Sequence, residues 1–452
     1  MSDNVDRRDF LKTTAAAGLG LAAAGSLTEC SSQPAGSAPL AFRTDPIETV
    51  RVAVVGLGNQ GTGHTRNLIR IPNAEVVALC DLLPERVARV QGWFIEAGRP
   101  VPTGYSGSHD EYVRMIAEED LDLVYTVTPW QYHAPICLEA MRNGAHAATE
   151  IPMGIYLDEL WELVETAERT GRHCVMMENC CYDRIELMIL NMVRHGLFGD
   201  LRHAECGYLH DLRALKTSPN YYVERWRIFH SIARNADLYP CHGLGPIAQC
   251  LNINRGNQFD FLVSMSCASG GIARYAAHEY GPDHEWATQE YSLGDVQNTL
   301  IRTVEGQTII VTHDTNTPRP YSRKVLVQGT RGLVRKYPEP KIYIEGVSPP
   351  HRWQDLDDEW FAEWEHPLHT AIRESASGAG HGGMDYIEDY RLIQCLHEGA
   401  PMDMDVYDGA AWSAVVELSE RSIARRSRSI DYPDFTRGSW REREPLGIID
   451  RI

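Results

Sequence analysis

Six residues, Gly56-Leu57-Gly58-Asn59-Gln60-Gly61, supply the first chemistry legible in this 452-residue chain. Three glycines at this spacing let a backbone turn tightly, approach a pyrophosphate, and pack a helix closely against a strand, so that the phosphate meets the helix N-terminus. About twenty residues further on, Asp81 ends a second apolar run, where a carboxylate accepts from both hydroxyls of a ribose and repels a 2′-phosphate. NAD is thereby favoured over NADP. Further chemistry is sought at Thr128-Pro129-Trp130-Gln131-Tyr132-His133, Glu150-Ile151-Pro152 and Glu178-Asn179. His366 and His369, and the carboxylates Asp355, Asp357, Asp358 and Glu359, have spacings compatible with a metal. Without a third convergent ligand they are read as solvated or structural, and no metal is expected.

The elements that must position these groups follow from periodicity. Val50–Val55 is a β-branched run of strand length leading into the glycines, and a helical pattern continues through Ile71. Strands are expected at Glu75–Cys80, Leu121–Thr128, His146–Ile151 and His173–Glu178, separated by helices such as Pro135–Asn143 and Asp158–Thr170. That alternation predicts a doubly wound parallel sheet with right-handed crossovers, whose ligands sit beyond the carboxyl ends of the strands. From about residue 180 the pattern changes to a helix over 185–196 and then to longer alternating runs: Arg202–Asp211, Phe261–Ala268, Val296–Val304, Thr308–Thr315, Lys324–Gln328 and Leu333–Tyr337. Glu305-Gly306-Gln307 and Thr330-Arg331-Gly332 read as hairpin turns. The fold class is therefore α/β: an N-terminal Rossmann domain over 49–179, then an α+β domain over 180–452 with a predominantly antiparallel sheet and C-terminal helices. Residues 340–375 are expected to wrap the surface, and Asp385–His397 and Tyr407–Ala424 to return as helices. The aromatic density between Tyr221 and Tyr239 suits a loop that stacks on sugar faces, and core packing explains it equally well.

Composition narrows the partners. Lys and Arg number 43 against 62 Asp and Glu, a formal charge of −19 that repels a phosphate backbone and disfavours nucleic acid. Arg7-Arg8 with Phe10, Leu11, Lys12 and the small uncharged stretch Thr13–Leu27 reads as a twin-arginine export signal over 1–30. Residues 31–48, rich in Ser, Pro, Gly and Ala, read as a linker. The twin-arginine machinery is then a partner and the cell envelope or periplasm the destination. Cys30 follows Leu27-Thr28-Glu29 in a lipoprotein-like box, where lipid attachment and simple cleavage are both open. The other ten cysteines are scattered without a CxxC pair and read as small core hydrophobes rather than a disulfide framework.

Several longer motifs carry a resemblance over residues 49 to about 430. Trp130-Gln131-Tyr132-His133, Glu150-Ile151-Pro152-Met153-Gly154, Tyr239-Pro240-Cys241-His242-Gly243, the run Arg319-Pro320-Tyr321-Ser322-Arg323, and Gly382-Gly383-Met384-Asp385 with Tyr390-Arg391-Leu392-Ile393 occur in order. The chain resembles the glucose-fructose oxidoreductase and inositol dehydrogenase family. Within that family it is most similar to glycoside hydrolase family 109, the NAD-dependent α-N-acetylgalactosaminidases. The resemblance implies cofactor contacts from Asn59, Gln60, Asp81, Trp130, Gln131, Tyr132, His133, Glu150, Ile151, Asn179 and Tyr239, beside the glycines Gly56, Gly58 and Gly61. It implies sugar contacts from Tyr208, Arg227, Tyr239, Pro240, Cys241, His242 and Tyr321. Two positions depart from relatives: Ile151 stands where the dehydrogenases carry a lysine, and Cys241 stands where the hydrolases typically carry threonine.

A redox cofactor serves hydrolysis if the cycle is redox-neutral, and a protein working outside the cytoplasm, without a nicotinamide pool, needs such a cycle. The expected sequence is oxidation of the sugar at C3, acidification of the C2 proton, elimination of the C1 substituent, water addition and restoration of C3. His242 is the expected general base or acid, since the unperturbed imidazole is the side chain that exchanges protons near neutrality, and Tyr239 would receive or relay the hydroxyl proton. Blander roles exist for each residue: His242 as a loop or capping histidine, Arg227 as a surface charge, Tyr321 as a packed loop aromatic, and His133 as the start of a helix. Alternatives to the glycosidase are a sugar oxidoreductase and a noncatalytic sugar-binding protein; homo-oligomerisation stays open.

Overall fold

The computed structural model describes residues 42–445 and Ile448; the signal read at 1–30, Cys30 and residues 31–41 of the linker lie outside the described residues. Six parallel strands form the first sheet: β1 (Val50–Val55), β2 (Ala74–Asp81), β3 (Thr103–Ser106), β4 (Leu123–Thr126), β5 (His146–Thr149) and β6 (Cys174–Met176). Their order is β3-β2-β1-β4-β5-β6, so the direction of winding reverses between β1 and β4 and opens a crevice at the carboxyl ends of those two strands. Val52, Ala53, Val54, Leu123, Val124 and Tyr125 are fully buried, as central strands covered on both faces require. The expected doubly wound sheet is present. The strand missing from the sequence reading is β3, an edge strand of only four residues, TGYS, without a β-branched run.

The second sheet contains β7 (Leu201–Leu209), β8 (Phe259–Ser266), β9 (Val296–Thr303), β10 (Thr308–Asp314), β11 (Leu326–Gly329), β12 (Gly332–Arg335), β13 (Lys341–Ile344), β14 (Gln354–Asp355) and β15 (Ile430–Asp431). The order is β14-β13-β12-β11-β7-β10-β9-β8-β15. Its neighbours run antiparallel except for β7 and β10, which pair in parallel with Tyr208 opposite His313. Residues 340–375 were expected only to wrap the surface, but Ile342 and Ile344 alternate inward from Lys341 and Tyr343 and make β13 a member of the sheet. Tyr407–Ala424, expected as one helix, is two: Val406–Ser413 and Val415–Ala424. His366 and Asp357 accept backbone N–H groups as helix caps, and His369 lies 3.3 Å from Glu365.

The helix Met384–Glu398 returns to the first domain and packs on the helix Asn59–Arg70. Between them lies a buried polar cluster. His64 places Nδ1 2.9 Å from Asp389 Oδ1 and Nε2 2.9 Å from Glu150 Oε1; Asn67 and Tyr125 donate to Asp389. Burial opposes charge on His64, but a carboxylate on each nitrogen overrides it and holds the imidazole well above its ordinary range. Glu150 is correspondingly held below the usual carboxylate value: burial works against this, and His64 prevails.

Glu388 beside them has no hydrogen-bond partner on either oxygen, and burial first, then the neighbouring carboxylates, push its carboxyl well up. A carboxyl raised in the folded state binds its proton more tightly there than in the unfolded chain. Its contribution to stability therefore falls as pH rises from the unfolded value near 4.3 toward the folded one, by up to about 1.4 kcal/mol per pH unit. Glu388→Gln is expected to remove that slope, so that the variant gains on the wild type from pH 5 to pH 8 in thermal unfolding. Parallel curves would show that Glu388 ionises as readily in the folded protein as outside it.

Candidate active site

The crevice at β1 and β4 continues into a cleft of about 340 Å³ lined by residues of both sheets. On the first-domain side it is lined by Gly56, Gly58, Asn59, Gln60, Asp81, Thr128, Trp130, Tyr132, Glu150 and Ile151. The helix Asn59–Arg70 begins at Gly58 with no side chain capping its first N–H groups, which leaves them for an anion. A Cβ at Gly61 would lie 1.8 Å from the Gly56 carbonyl oxygen, so only glycine lets helix and turn meet. At Gly58 the nearest atom to such a Cβ is Arg86 Nη1 at 3.7 Å, and the space there is open for a ligand. Asp81 accepts from the Leu57 and Leu83 amides at 2.6 and 2.9 Å, with Arg86 Nη1 3.5 Å away. Thr128 Oγ1 is buried in the wall without a partner. An uncapped helix start, an open glycine, a held carboxylate and an orphaned hydroxyl together fit a dinucleotide.

The opposite wall carries Tyr208, His210, Tyr222, Trp226, Arg227, Tyr239, His242 and His381. Tyr239 stacks on Trp130 with centroids 5.7 Å apart, stands edge-on to His242 at 5.0 Å, and meets Tyr208 at 4.7 Å. Its backbone amide is held by Asp237, whose carboxyl burial pushes up to about 7. Burial also holds the Tyr239 phenol well above its ordinary value, although Arg227 works the other way. Arg227 sits in an aromatic box, 4.7 Å from the Tyr239 centroid and 5.0 Å from that of Trp130, and donates to the Tyr222 hydroxyl. It is a cation presented within the cleft rather than a surface charge.

His242 lies not in a loop but in the first turn of the helix Cys241–Cys250. This helix runs against the grain of propensity, with two glycines and Pro246 inside it, and tertiary contact explains the glycines. A Cβ at Gly243 would fall 2.3 Å from the Gly207 amide nitrogen on β7, and one at Gly245 would fall 2.9 Å from Glu178 Cγ. Backbone therefore rides on backbone, bringing His242 beside Tyr208, at 5.4 Å between rings, and above Glu178, whose Oε1 lies 2.8 Å from His242 Nδ1. Cys241 turns the other way, fully buried with its thiol toward Ser413, and burial raises that thiol well above its usual value. Pro240 is buried behind the cleft.

Six other expected residues stand outside the cleft lining. His133 bridges the Pro152 and Thr128 carbonyls at 2.7 and 2.8 Å and so ties the end of β4 to that of β5; burial lowers its pKa. It begins the helix His133–Arg142. Asn179 donates to Asp385, which also receives His381 from the cleft wall. Tyr321 packs edge-on to His210 at 5.0 Å. Gln131 is half-buried with Oε1 unpartnered, Gly61 lies beneath the turn, and Cys241 is in the core. Glu178, His210 and His381 are site residues the sequence reading did not single out by role. For Glu178 the one available signal was its place at a strand end, and for His381 its setting between Gly380 and Gly382.

The chain's similarities fit this two-sided cleft. Residues 50–178 match the family described as oxidoreductase family, NAD-binding Rossmann fold, and residues 182–442 match glycosyl hydrolase 109, C-terminal domain. A glycosyl hydrolase family 109 protein of Shewanella amazonensis is 45% identical, with 99% of each chain covered. An alpha-N-acetylgalactosaminidase of Shewanella oneidensis is 42% identical, again over 99% of each. Among solved structures, an inositol dehydrogenase homolog of Azotobacter vinelandii complexed with NADH and myo-inositol superposes with a TM-score of 0.63 at 19% identity, covering 87% of this chain and 100% of its own. An aldose-aldose oxidoreductase of Caulobacter crescentus gives 0.61 at 17%, covering 85% and 99%. Those two share the fold. With an NAD-binding Rossmann domain in its first part and full-length relatives above 40% identity, the chain belongs to glycosyl hydrolase family 109.

Proposed function

We propose that the protein is an NAD-dependent α-N-acetylgalactosaminidase that cleaves terminal N-acetylgalactosamine in a redox-neutral cycle. The observation that carries this reading is the placing of Tyr239 and His242 on one wall of the cleft, directly across from Glu150 and the dinucleotide turn. The similarity to the Shewanella oneidensis enzyme of that name supports the choice of sugar. When bound along Gly56–Gly61 and Asp81, NAD supplies reversible oxidation of a sugar carbon.

The residues of the chain do the rest. Arg227 holds a sugar oxygen or the acetamido carbonyl with the donors that Tyr222 leaves free, and the Tyr208 hydroxyl, paired with His210 Nδ1 at 2.9 Å, marks a second polar contact. Tyr239, backed by the buried Trp130 ring, offers an aromatic edge of the cleft to the pyranose ring. His242, with Nδ1 occupied by Glu178, presents Nε2 as the group that takes and returns a proton. Tyr239, a neutral phenol edge-on to His242, relays the proton of the reacting hydroxyl, its oxygen accepting that proton as its own is passed on toward His242.

The test is release of p-nitrophenol from α- and β-linked N-acetylgalactosaminide, galactoside and N-acetylglucosaminide, with deuterium exchange at C2 of the freed sugar. Release from the α-N-acetylgalactosaminide with C2 exchange and no net NADH is expected. No release, with NADH formed on simple sugars, would make the protein a sugar oxidoreductase instead.

We further propose export by the twin-arginine route, with Cys30 as the place of any lipid anchor, supported by Arg7-Arg8, Phe10 and the apolar run that follows. Replacing both arginines by lysine is expected to retain the protein in the cytoplasmic fraction; unchanged fractionation would refute that route.

A further inference from the structure

Glu178 is a fully buried carboxylate set behind the cleft rather than in its wall. It follows β6, and its Oε1 accepts from the Cys180 amide at 3.0 Å as well as facing His242 Nδ1 at 2.8 Å. Its Oε2 is buried with no hydrogen-bond partner. Capping the turn Asn179–Tyr182 needs only one neutral acceptor, so the Cys180 contact does not account for a buried charge. Ionised carboxylates are costly to desolvate without a cationic or strongly polar partner. The partner here is an imidazole, and the packing maintains the pair: at Gly245 the absence of a side chain makes room for Glu178 Cγ.

We infer that Glu178 is the positioning residue of a carboxylate–histidine pair, which fixes the His242 proton on Nδ1, aims Nε2 at the substrate, and stabilises the imidazolium formed when Nε2 takes a proton. The inference rests on the reading of His242 as the proton-transferring group and deepens it. The proton balance is simple. Nε2 gains the substrate proton while Nδ1 keeps its own, the positive charge is held against Glu178, and both return to the starting state when Nε2 gives its proton up.

Other ionisable groups surround the ring: Tyr208 from β7, Tyr239 from the segment before the helix, Cys180 from the turn after β6, His210 and Arg227 along the same wall, and Glu150 from the end of β5 across the cleft. Among the described residues Glu178 alone hydrogen-bonds the imidazole. A change at Glu178 should therefore register on His242 before anything else.

Glu178→Gln keeps an acceptor for the Cys180 amide and the same volume, but removes the charge. The expected result is a fall of about 30–100-fold in kcat on the nitrophenyl substrate, with KM, NAD affinity and thermal unfolding within about twofold or a few degrees of wild type. In the pH profile, the limb belonging to His242 should move to lower pH, because the imidazolium has lost its counter-charge. Glu178→Asp, which restores charge at a shorter reach, should recover part of the loss. An unchanged kcat with an unmoved limb in Glu178→Gln, while His242→Ala is inactive, would overturn this inference alone. Activity retained in His242→Ala would overturn the reading of His242 and this inference with it. A Glu178→Gln protein that loses NAD and unfolds early, with no recovery in Glu178→Asp, would make Glu178 a purely structural residue and likewise overturn it.

Discussion

His242→Ala is expected to lower kcat about 1,000-fold while the protein still binds NAD. General acid–base groups contribute on the order of 100- to 10,000-fold, and under the proposed cycle this imidazole would both take a proton and give it back. Its loss leaves the dinucleotide turn untouched, since Gly56, Gly58, Asn59, Gln60 and Asp81 belong to the other wall of the cleft. A cost in stability is expected as well, because Glu178 would then be buried without its imidazole partner. NAD binding by fluorescence titration, melting temperature and single-turnover release of nitrophenol separate these effects. Activity within tenfold of wild type in a protein that binds NAD normally would remove His242 from the chemistry.

Asp81→Ala has the second large effect, and it acts on the cofactor. The carboxylate holds the Leu57 and Leu83 amides with its two oxygens and lines the cleft, with acceptor capacity to spare for the two hydroxyls a ribose would present. Removing it costs two charge-assisted hydrogen bonds to ribose and loosens the turn that carries the phosphates. At about 1.5–3 kcal/mol for each bond to a charged group, NAD affinity should fall at least about 100-fold. Arg86, 3.5 Å from Asp81 Oδ2, then loses its counter-charge. The same variant is therefore expected to discriminate less against NADP, since a free guanidinium beside the ribose suits a 2′-phosphate. Calorimetric titration with both cofactors reads the two effects together; an NAD affinity within threefold of wild type would contradict the role given to Asp81.

The first domain was legible because its signals are local. A β-branched run, three glycines at fixed offsets and a carboxylate after the next strand lie within residues 50–81, and each element depends mainly on its own sequence. Within that sheet only β3 escaped, because an edge strand of four residues has no buried alternation to betray it. The second domain was legible in its long strands but not in the helix that carries His242. Glycine and proline there signal a loop to any propensity argument, whereas the glycines answer to Gly207 and Glu178, residues remote in sequence. Partners were the hardest part to foresee. His242 pairs with Glu178 across 64 positions and His64 with Asp389 across 325, and nothing in the spacing of either pair declares it.

The parallel seam in the second sheet carries a consequence for how the chain comes together. β7, which bears Tyr208, is flanked by β10 and β11, and His203 faces Thr308 from 105 positions away. As the chain leaves the ribosome, β7 emerges long before either neighbour and stands with both edges open. Pairings between such distant segments form slowly, since a large loop must close before any contact rewards it. The cleft wall that carries Tyr208 is accordingly one of the last parts of the molecule to take shape, after the Rossmann sheet, whose strands are all made by residue 176. Nascent chains halted before β10 would hold a finished parallel sheet, still without the helix Met384–Glu398 that packs on its first helix, beside a β7 that is sticky and unpaired.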